Sequence, residues 1–289
     1  MKQIAGKGCD ILIPSGDIKP VWDIERSIVT KFRRKIWSKF IKAIIEFNMI
    51  QDGDKIAVGI SGGKDSLLMA KLFQELKRHS KNNFELEFIC TDPGYHENIR
   101  ELLVENCKHL EIPIKIYESR IFEVCQEIAG DYPCFMCAKM RRGALYSRAQ
   151  ELGCNKLALG HHFNDVIETV LLNLFYTGSF KSMLPKLKST NFKDMELIRP
   201  MYFIEEHFIE CYTNENGIYP LNCACMVAAD KTGNKRYEIK ELIEELKKKF
   251  KDVDKYIYTA TKNVNMDAII GWQKDGEKYS YLDYYDDED

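Results

Sequence analysis

No apolar run in the 289 residues approaches the ~18 needed to cross a bilayer, so no membrane-spanning helix is expected. The first twenty residues set Lys2, Lys7, Asp10, Asp17 and Lys19 around a short apolar patch, which is not the build of a signal peptide. The expected compartment is therefore the cytoplasm. Internal repeats are missing, and the only biased stretch is an acidic tail. Hydrophobic residues at 45% and charged residues at 30% exclude a disordered chain, a collagen and a coiled coil. A strong charge of one sign is missing too. The net charge of −2 argues, taken whole, against a nucleic-acid partner. Its distribution argues otherwise: removing Asp283, Asp286, Asp287, Glu288 and Asp289 takes the net charge from −2 to +3.

What is present is a rhythm. Residues 27–48 predict an amphipathic helix, with Phe32, Ile36, Phe40 and Ile44 recurring every four. Lys31, Arg33, Arg34, Lys35, Lys39 and Lys42 lie along it with no acid among them, which suits either a solvated face or a contact to phosphate. Apolar strands are expected at 55–60, 84–91, 112–117, 156–160 and 195–200. Helices are expected at 64–78, 97–110, 120–129, 138–152 and 163–176. Strands alternating with helices imply parallel βαβ units with right-handed crossovers. The expected fold is α/β, a parallel doubly wound sheet of about five strands with helical N- and C-terminal additions. Three parts are expected: residues 1–50 as an extension and basic helix, 51–200 as the nucleotide-binding domain, and 201–289 as a helical segment with a cysteine-bearing turn and the tail.

The strand at 55–60 runs through Ser61-Gly62-Gly63-Lys64-Asp65-Ser66 straight into a helix. Two glycines let backbone approach a ligand, and the open amides and dipole of the helix start attract anions. This predicts a polyphosphate cradle. The kinase-type G-x-x-x-x-G-K-[ST] string is absent because Asp65 follows Lys64, and G-x-G-x-x-G is absent as well. Gly160-His161-His162 and Asp165 follow the fourth strand, at the end of the sheet where parallel sheets bind ligands. Asp165 is a candidate to hold Mg²⁺ or orient the polyphosphate ligand.

Ten cysteines in a cytosolic chain point to metal or redox chemistry where they pair closely. Cys134-x-x-Cys137 and Cys223-Ala224-Cys225 are such pairs, 86 residues apart, and are candidate metal ligands. A redox dithiol or a zinc site fits the same spacing. Cys90, Cys107 and Cys154 sit in apolar patterns and are expected in the core.

The loop Ser61–Ser66 resembles that of the PP-loop ATP pyrophosphatases, which split ATP between its α- and β-phosphates. Across roughly residues 30–265 the chain is similar to the tRNA 2-thiocytidine biosynthesis family. Phe47-Asn48-Met49-Ile50, Pro133-Cys134-x-x-Cys137, Arg141-Arg142-Gly143, Gly160-His161-His162, Asp165, Asn173-x-Phe175-Tyr176-x-Gly178, Pro185-Lys186-Leu187 and Arg199-Pro200 carry the likeness.

That resemblance implies the adenine nucleotide α-hydrolase-like fold, ATP with Mg²⁺, and a [4Fe–4S] cluster on three cysteines. It implies ATP binding by Ser61, Gly62, Gly63, Lys64, Asp65, Ser66, Gly160, His161 and Asp165, and catalytic roles for Asp65, Asp165, Cys134 and Cys137. Cys134 and Cys137 are implied as two cluster ligands. The third is Cys223 or Cys225, because Cys223-Ala224-Cys225 stands where the family has P-C-x-x-C. The implied partners are the anticodon stem-loop of a tRNA and a sulfur donor, either a cysteine desulfurase or free sulfide. A homodimer is expected by base rate. Lys139, Arg141, Arg142 and Arg148 are expected on tRNA phosphates. Open alternatives are a thiolase or amine ligase of the same superfamily with another substrate, or a nucleotide-binding redox sensor.

Overall fold

A computed structural model of the chain describes residues 17–128, 133–221 and 235–285, the side chains of Gln126, Ile128 and residues 133–135 excepted. Two compact units are present: Met1–Val166 with Met183–Tyr237, and Ile167–Ser182 with Glu238–Asp289. No helix among the described residues is long and apolar enough to cross a membrane.

The first unit opens with α1 (Val21–Val29), a π-helical stretch at Arg33–Trp37 and α2 (Ser38–Glu46). The single helix expected at 27–48 is thus interrupted and begins earlier. Its apolar spacing of four is wider than an α turn of 3.6, and the wider π turn absorbs the difference, keeping Phe32, Ile36 and Phe40 all buried.

The sheet then forms from β1 (Lys55–Gly59), β2 (Glu85–Asp92), β3 (Ile114–Glu118), β4 (Lys156–Ala158), β5 (Lys186–Lys188) and β6 (Glu196–Ile198). Their order across the sheet is β3-β2-β1-β4-β6-β5. Every pairing is parallel except β5 with β6, so the expected five-stranded parallel sheet gains one reversed edge strand. The crossovers are α3 (Lys64–His79), α4 (Glu97–His109), α5 (Ile121–Ile128) with α6 (Pro133–Glu151), and α7 (Phe163–Thr177); α8 (Glu206–Glu215) follows β6. On one sheet face Tyr146 and Ala149 of α6 pack on Ala57, Ile89, Leu157 and Leu197. Cys90, Cys107 and Cys154 are buried as expected, and burial pushes the first two thiols up to about 12 and the third to about 11.

The N-terminal helices are tied to the sheet layer through a buried charge. Lys71 of α3 is 1% exposed and donates to Glu25 of α1 and to the carbonyl of Leu110 at 2.8 Å. Arg78 donates to both Glu25 oxygens. Burial works against the Glu25 charge, yet Arg78 and Lys71 hold its carboxyl below the usual range. Glu25→Gln leaves Lys71 buried without its counter-charge. The expected loss is about 3 kcal/mol, read from the denaturant midpoint at unchanged slope. An unchanged midpoint would show that the pair contributes nothing to stability.

The second unit holds the later turns of α7, most of the helix Lys235–Lys249, the helix Val253–Ala260, and a hairpin of β7 (Gly271–Lys274) and β8 (Glu277–Ser280) followed by a 3-10 turn at Tyr281–Tyr284. Asp275 and Gly276 both have positive φ, +53° and +88°, matching the right-handed twist of a two-residue hairpin.

Candidate active site

At the carboxyl ends of β1, β2 and β4 lies a cavity of about 320 Å³. Ser61, Asp65 and Ser66 form its floor, with Gly160, His161 and Asp165 beside them. Thr91 ends β2 on its wall, and Ala138, Arg141 and Arg142 face it from α6.

The loop holds its own shape. Ser66 Oγ accepts from the Ser61 amide at 3.1 Å and donates to the Gly63 carbonyl at 3.0 Å, and the Gly63 amide donates to Ser61 Oγ at 3.3 Å. Gly62 stands at φ +81°, where an added Cβ would lie 2.5 Å from Leu221 Cδ1. The Leu221 amide donates to the Gly62 carbonyl at 2.9 Å. The chain therefore passes over the loop at Leu221, two residues before Cys223 in sequence. Gly160 brings the end of β4 against the start of α3, since a Cβ there would sit 3.3–3.4 Å from the backbone of Asp65 and Ser66. The first amides of α3 are left open for an anion.

Lys64 does not face the cavity. Its ammonium is bound to Glu206 of α8 at 3.0 Å and lies 3.4 Å from Asp65. Burial opposes its charge, but Asp65 and Glu206 outweigh this and hold it above the usual range. Positive charge on the cavity wall comes instead from α6, with Arg199 at the end of β6 standing behind His161. Arg142 is exposed and forms no ion pair among the described residues. Arg199 is buried; burial and the like charge of Arg142 lower its guanidinium to about 10. Arg141 donates to Tyr95 Oη at 2.9 Å. Of the cations expected on tRNA, Arg141 and Arg142 thus line the cavity, Lys139 is exposed, and Arg148 binds Glu151. Along residues 31–42, Lys31 pairs with Glu215 and Lys42 with Glu46, leaving Arg33 and Arg34 exposed.

The carboxylates differ. Burial pushes Asp65 above its ordinary range, with Lys64 and His162 pulling the other way; its Oδ1 is buried and accepts no hydrogen bond. Burial also opposes the Asp165 charge, but His162 and Arg236 hold that carboxyl below the usual range. Asp165 accepts from the His162 amide at 2.8 Å and pairs with Arg236. Among the described residues no three His, Cys, Asp or Glu side chains are gathered around one metal position. Thr91 was not singled out by sequence, yet its hydroxyl is buried without a partner on the wall. Its signal was its place at the end of a central parallel strand.

His161 Nδ1 accepts from Arg199 Nε at 3.3 Å, which puts the ring proton on Nε2. Burial pushes the imidazole down to about 3; Asp165 pulls upward and is outweighed once Arg199, Arg236 and Arg142 add their charge. The unfolded chain therefore binds one more proton than the native state between about pH 3 and 6.5. Stability is lost as pH falls through that window, by up to about 1.4 kcal/mol per pH unit from this group. His161→Gln should flatten that slope, read as unfolding free energies at pH 7 and pH 5; an unaltered slope would remove His161 as its source.

Cys134 and Cys137 lie on α6, which begins five residues before the helix expected at 138–152. Pro133 takes the first helical position, where its missing N–H costs nothing. The two positions are three residues apart on one helix. Ala138 and Arg141, on the next turn, reach the cavity. Cys137 is half-buried. Cys223 and Cys225 lie outside the described residues.

Residues 30–220 match the family model of the PP-loop domain. The chain is 37% identical over 237 residues to a tRNA-cytidine(32) 2-sulfurtransferase of Pelobacter propionicus, covering 81% of this chain and 87% of that one. It is 35% identical over 257 residues to the protein of the same name in Bdellovibrio bacteriovorus, covering 88% and 95%. Among solved structures, the U34-tRNA thiolase NcsA from Methanococcus maripaludis with its [4Fe-4S] cluster superposes with a TM-score of 0.62 at 22% identity, covering 91% of this chain and 87% of that one, which is a likeness of fold. A glycine loop at the end of β1, opposed by a cysteine-bearing helix on the same cavity, and these relatives over most of the chain make it a member of the PP-loop family, in its tRNA-cytidine 2-sulfurtransferase branch.

Proposed function

We propose that this chain is an ATP-dependent tRNA thiolase that replaces the C2 oxygen of a cytidine in the anticodon loop by sulfur. The observation that carries the reading is that α6, which bears Cys134 and Cys137, walls the same cavity as the Ser61–Ser66 loop.

The C2 oxygen of the cytidine attacks the α-phosphorus of ATP, and the bond to the β-phosphate oxygen breaks. Pyrophosphate leaves into the loop, where the amides at the start of α3 and the hydroxyls of Ser61 and Ser66 take its charge. Arg142 and Arg199 stabilise the α-phosphate as charge builds there. Neutral His161 donates Nε2–H without bringing a second charge. A sulfide-level sulfur then attacks C2, and AMP departs with the original oxygen. Thr91, Asp65 and Gly160 fix the nucleotide from the strand ends. The target base must leave its stack to reach the cavity, which suits an anticodon-loop position. Exposed Arg33, Arg34 and Lys139 bind tRNA phosphates.

Asp65, with a buried oxygen that accepts no hydrogen bond, and Asp165 are hard oxygen donors that fit Mg²⁺ held mainly by phosphates and water; bound there, it would neutralise the triphosphate. Cys134 and Cys137, with a third thiolate from Cys223 or Cys225, fit a [4Fe–4S] cluster, which would supply an iron with an open position for sulfur. Sulfur comes as free sulfide, or from the persulfide of a cysteine desulfurase once a thiol has reduced it to the sulfide level with formation of a disulfide, and the enzyme acts in the cytoplasm as a homodimer.

The test is anaerobic purification, an iron count, and incubation with tRNA, ATP and sulfide. Digestion to nucleosides should yield 2-thiocytidine in an ATP-dependent manner, with particles of twice the chain mass by light scattering. A zinc-only protein would remove the cluster. ATP cleavage with incorporation of an amine would replace thiolation by ligation.

A further inference from the structure

The second unit carries a cavity that the reaction does not use. It measures about 800 Å³ and is lined by Met266, Asp267, Trp272, Tyr281, Tyr284 and Tyr285. That is the size range of small-molecule and peptide pockets. Its walls are prearranged. Trp272 stacks on Tyr279 at 5.5 Å and on Tyr284 at 5.6 Å, a three-ring pile anchored on the hairpin. Ser280 and Asp283 form a capping box that fixes the turn carrying Tyr281 and Tyr284. Asn265 Oδ1 accepts from the Asp267 amide at 3.1 Å and sets that residue at the rim.

The chemistry of the wall selects the guest. Tyr281, Tyr284 and Tyr285 stay exposed although each is large and mostly apolar. Asp267 is the one charged side chain on the wall, and its carboxylate forms no ion pair among the described residues. Aromatic faces present negative quadrupoles, and an unpaired carboxylate adds a full negative charge. Nearby in the chain Asp275, Glu277 and Asp283 outnumber Lys274 and Lys278, and four more acids follow Tyr285. An RNA phosphate would be repelled here, whereas an ammonium or guanidinium would be stabilised twice, by the rings and by the carboxylate. One ring in the same unit already does this within the chain, where Lys262 Nζ sits 5.0 Å over Tyr258.

We propose that this aromatic pocket docks a lysine- or arginine-bearing segment of a protein partner. The proposal is independent of the assignment of the ATP site.

The probe is a fluorescein-labelled twelve-residue peptide of lysine and serine, titrated into the full chain and followed by anisotropy. Its counterpart has glutamine in place of every lysine. The lysine peptide should bind at least about tenfold more tightly than the glutamine one. Asp267→Asn and Tyr285→Ala, both at exposed positions, should each weaken the lysine peptide about fivefold while leaving the circular dichroism spectrum unchanged. Equal binding of both peptides would overturn the proposal in favour of a plain apolar groove. Binding of a labelled RNA dodecamer that Tyr285→Ala abolishes would overturn it in favour of a base-stacking platform. Self-association that Tyr285→Ala abolishes would overturn it in favour of a contact between copies.

Discussion

Gly62→Ala raises the KM for ATP by about ten- to a hundredfold while the protein stays folded. Two effects add. An alanine at φ +81° costs about 1–2 kcal/mol of backbone strain. Its Cβ also meets Leu221 Cδ1 at 2.5 Å, Leu221 Cγ at 2.9 Å and Leu103 Cδ1 at 3.0 Å. Leu221 has little room to retreat, because its amide is bonded to the Gly62 carbonyl at 2.9 Å. The loop must therefore move, and about 1.4 kcal/mol of lost binding is tenfold in affinity. Gly53 supplies the control. It has the same φ of +81°, but nothing lies within 4 Å of its Cβ position. Gly53→Ala should thus show the strain in a melt and leave the KM for ATP alone. Matching KM values for Gly62→Ala and the parent would show that the loop does not hold the triphosphate.

Cys137→Ala abolishes formation of 2-thiocytidine and lowers bound iron, while ATP affinity changes by less than about threefold. Cys134→Ala behaves the same way. Two remaining thiolates leave an iron–sulfur cluster short of a ligand, whereas the residues on the cavity floor, Ser61, Ser66 and Asp65, are untouched. Cys107→Ala is the matched control. Its thiol is buried and pushed up to about 12, so it stays protonated at neutral pH and is unsuited to metal. That variant should lose packing stability and keep iron and thiolation. Wild-type thiolation by Cys137→Ala would remove the α6 pair from the chemistry.

The β1–loop–α3 unit was legible because three local signals agree: an apolar strand, a Gly-Gly step and an amphipathic helix with Leu68 and Leu72 buried. The parallel sheet followed from alternation alone. The helical setting of Cys134 and Cys137 was not legible, because Pro133 reads equally well as a turn residue and as the first residue of a helix. The π-helical step at Arg33–Trp37 is invisible to periodicity, which sees the buried face and not the hydrogen-bond pattern beneath it. Lys64 was read toward phosphate; its partner Glu206 lies 142 residues away, and no local pattern reveals such a pair. Arg199 and His161 meet for the same reason, at the ends of different strands. The hairpin β7–β8 was missed, although Asp275-Gly276 was a signal for it; the strand pairing then sets Trp272 opposite Tyr279.

The reversed edge strand β5 bears on how copies of the protein associate. It is three residues long and begins and ends with lysine, Lys186 and Lys188. So brief and charged a rim offers a newcomer too few free amides and carbonyls, and too much repulsion, to add a further strand. The sheet is thereby closed to growth on that flank, and an oligomer built by continuing the sheet would have to add its strand at the opposite edge, β3.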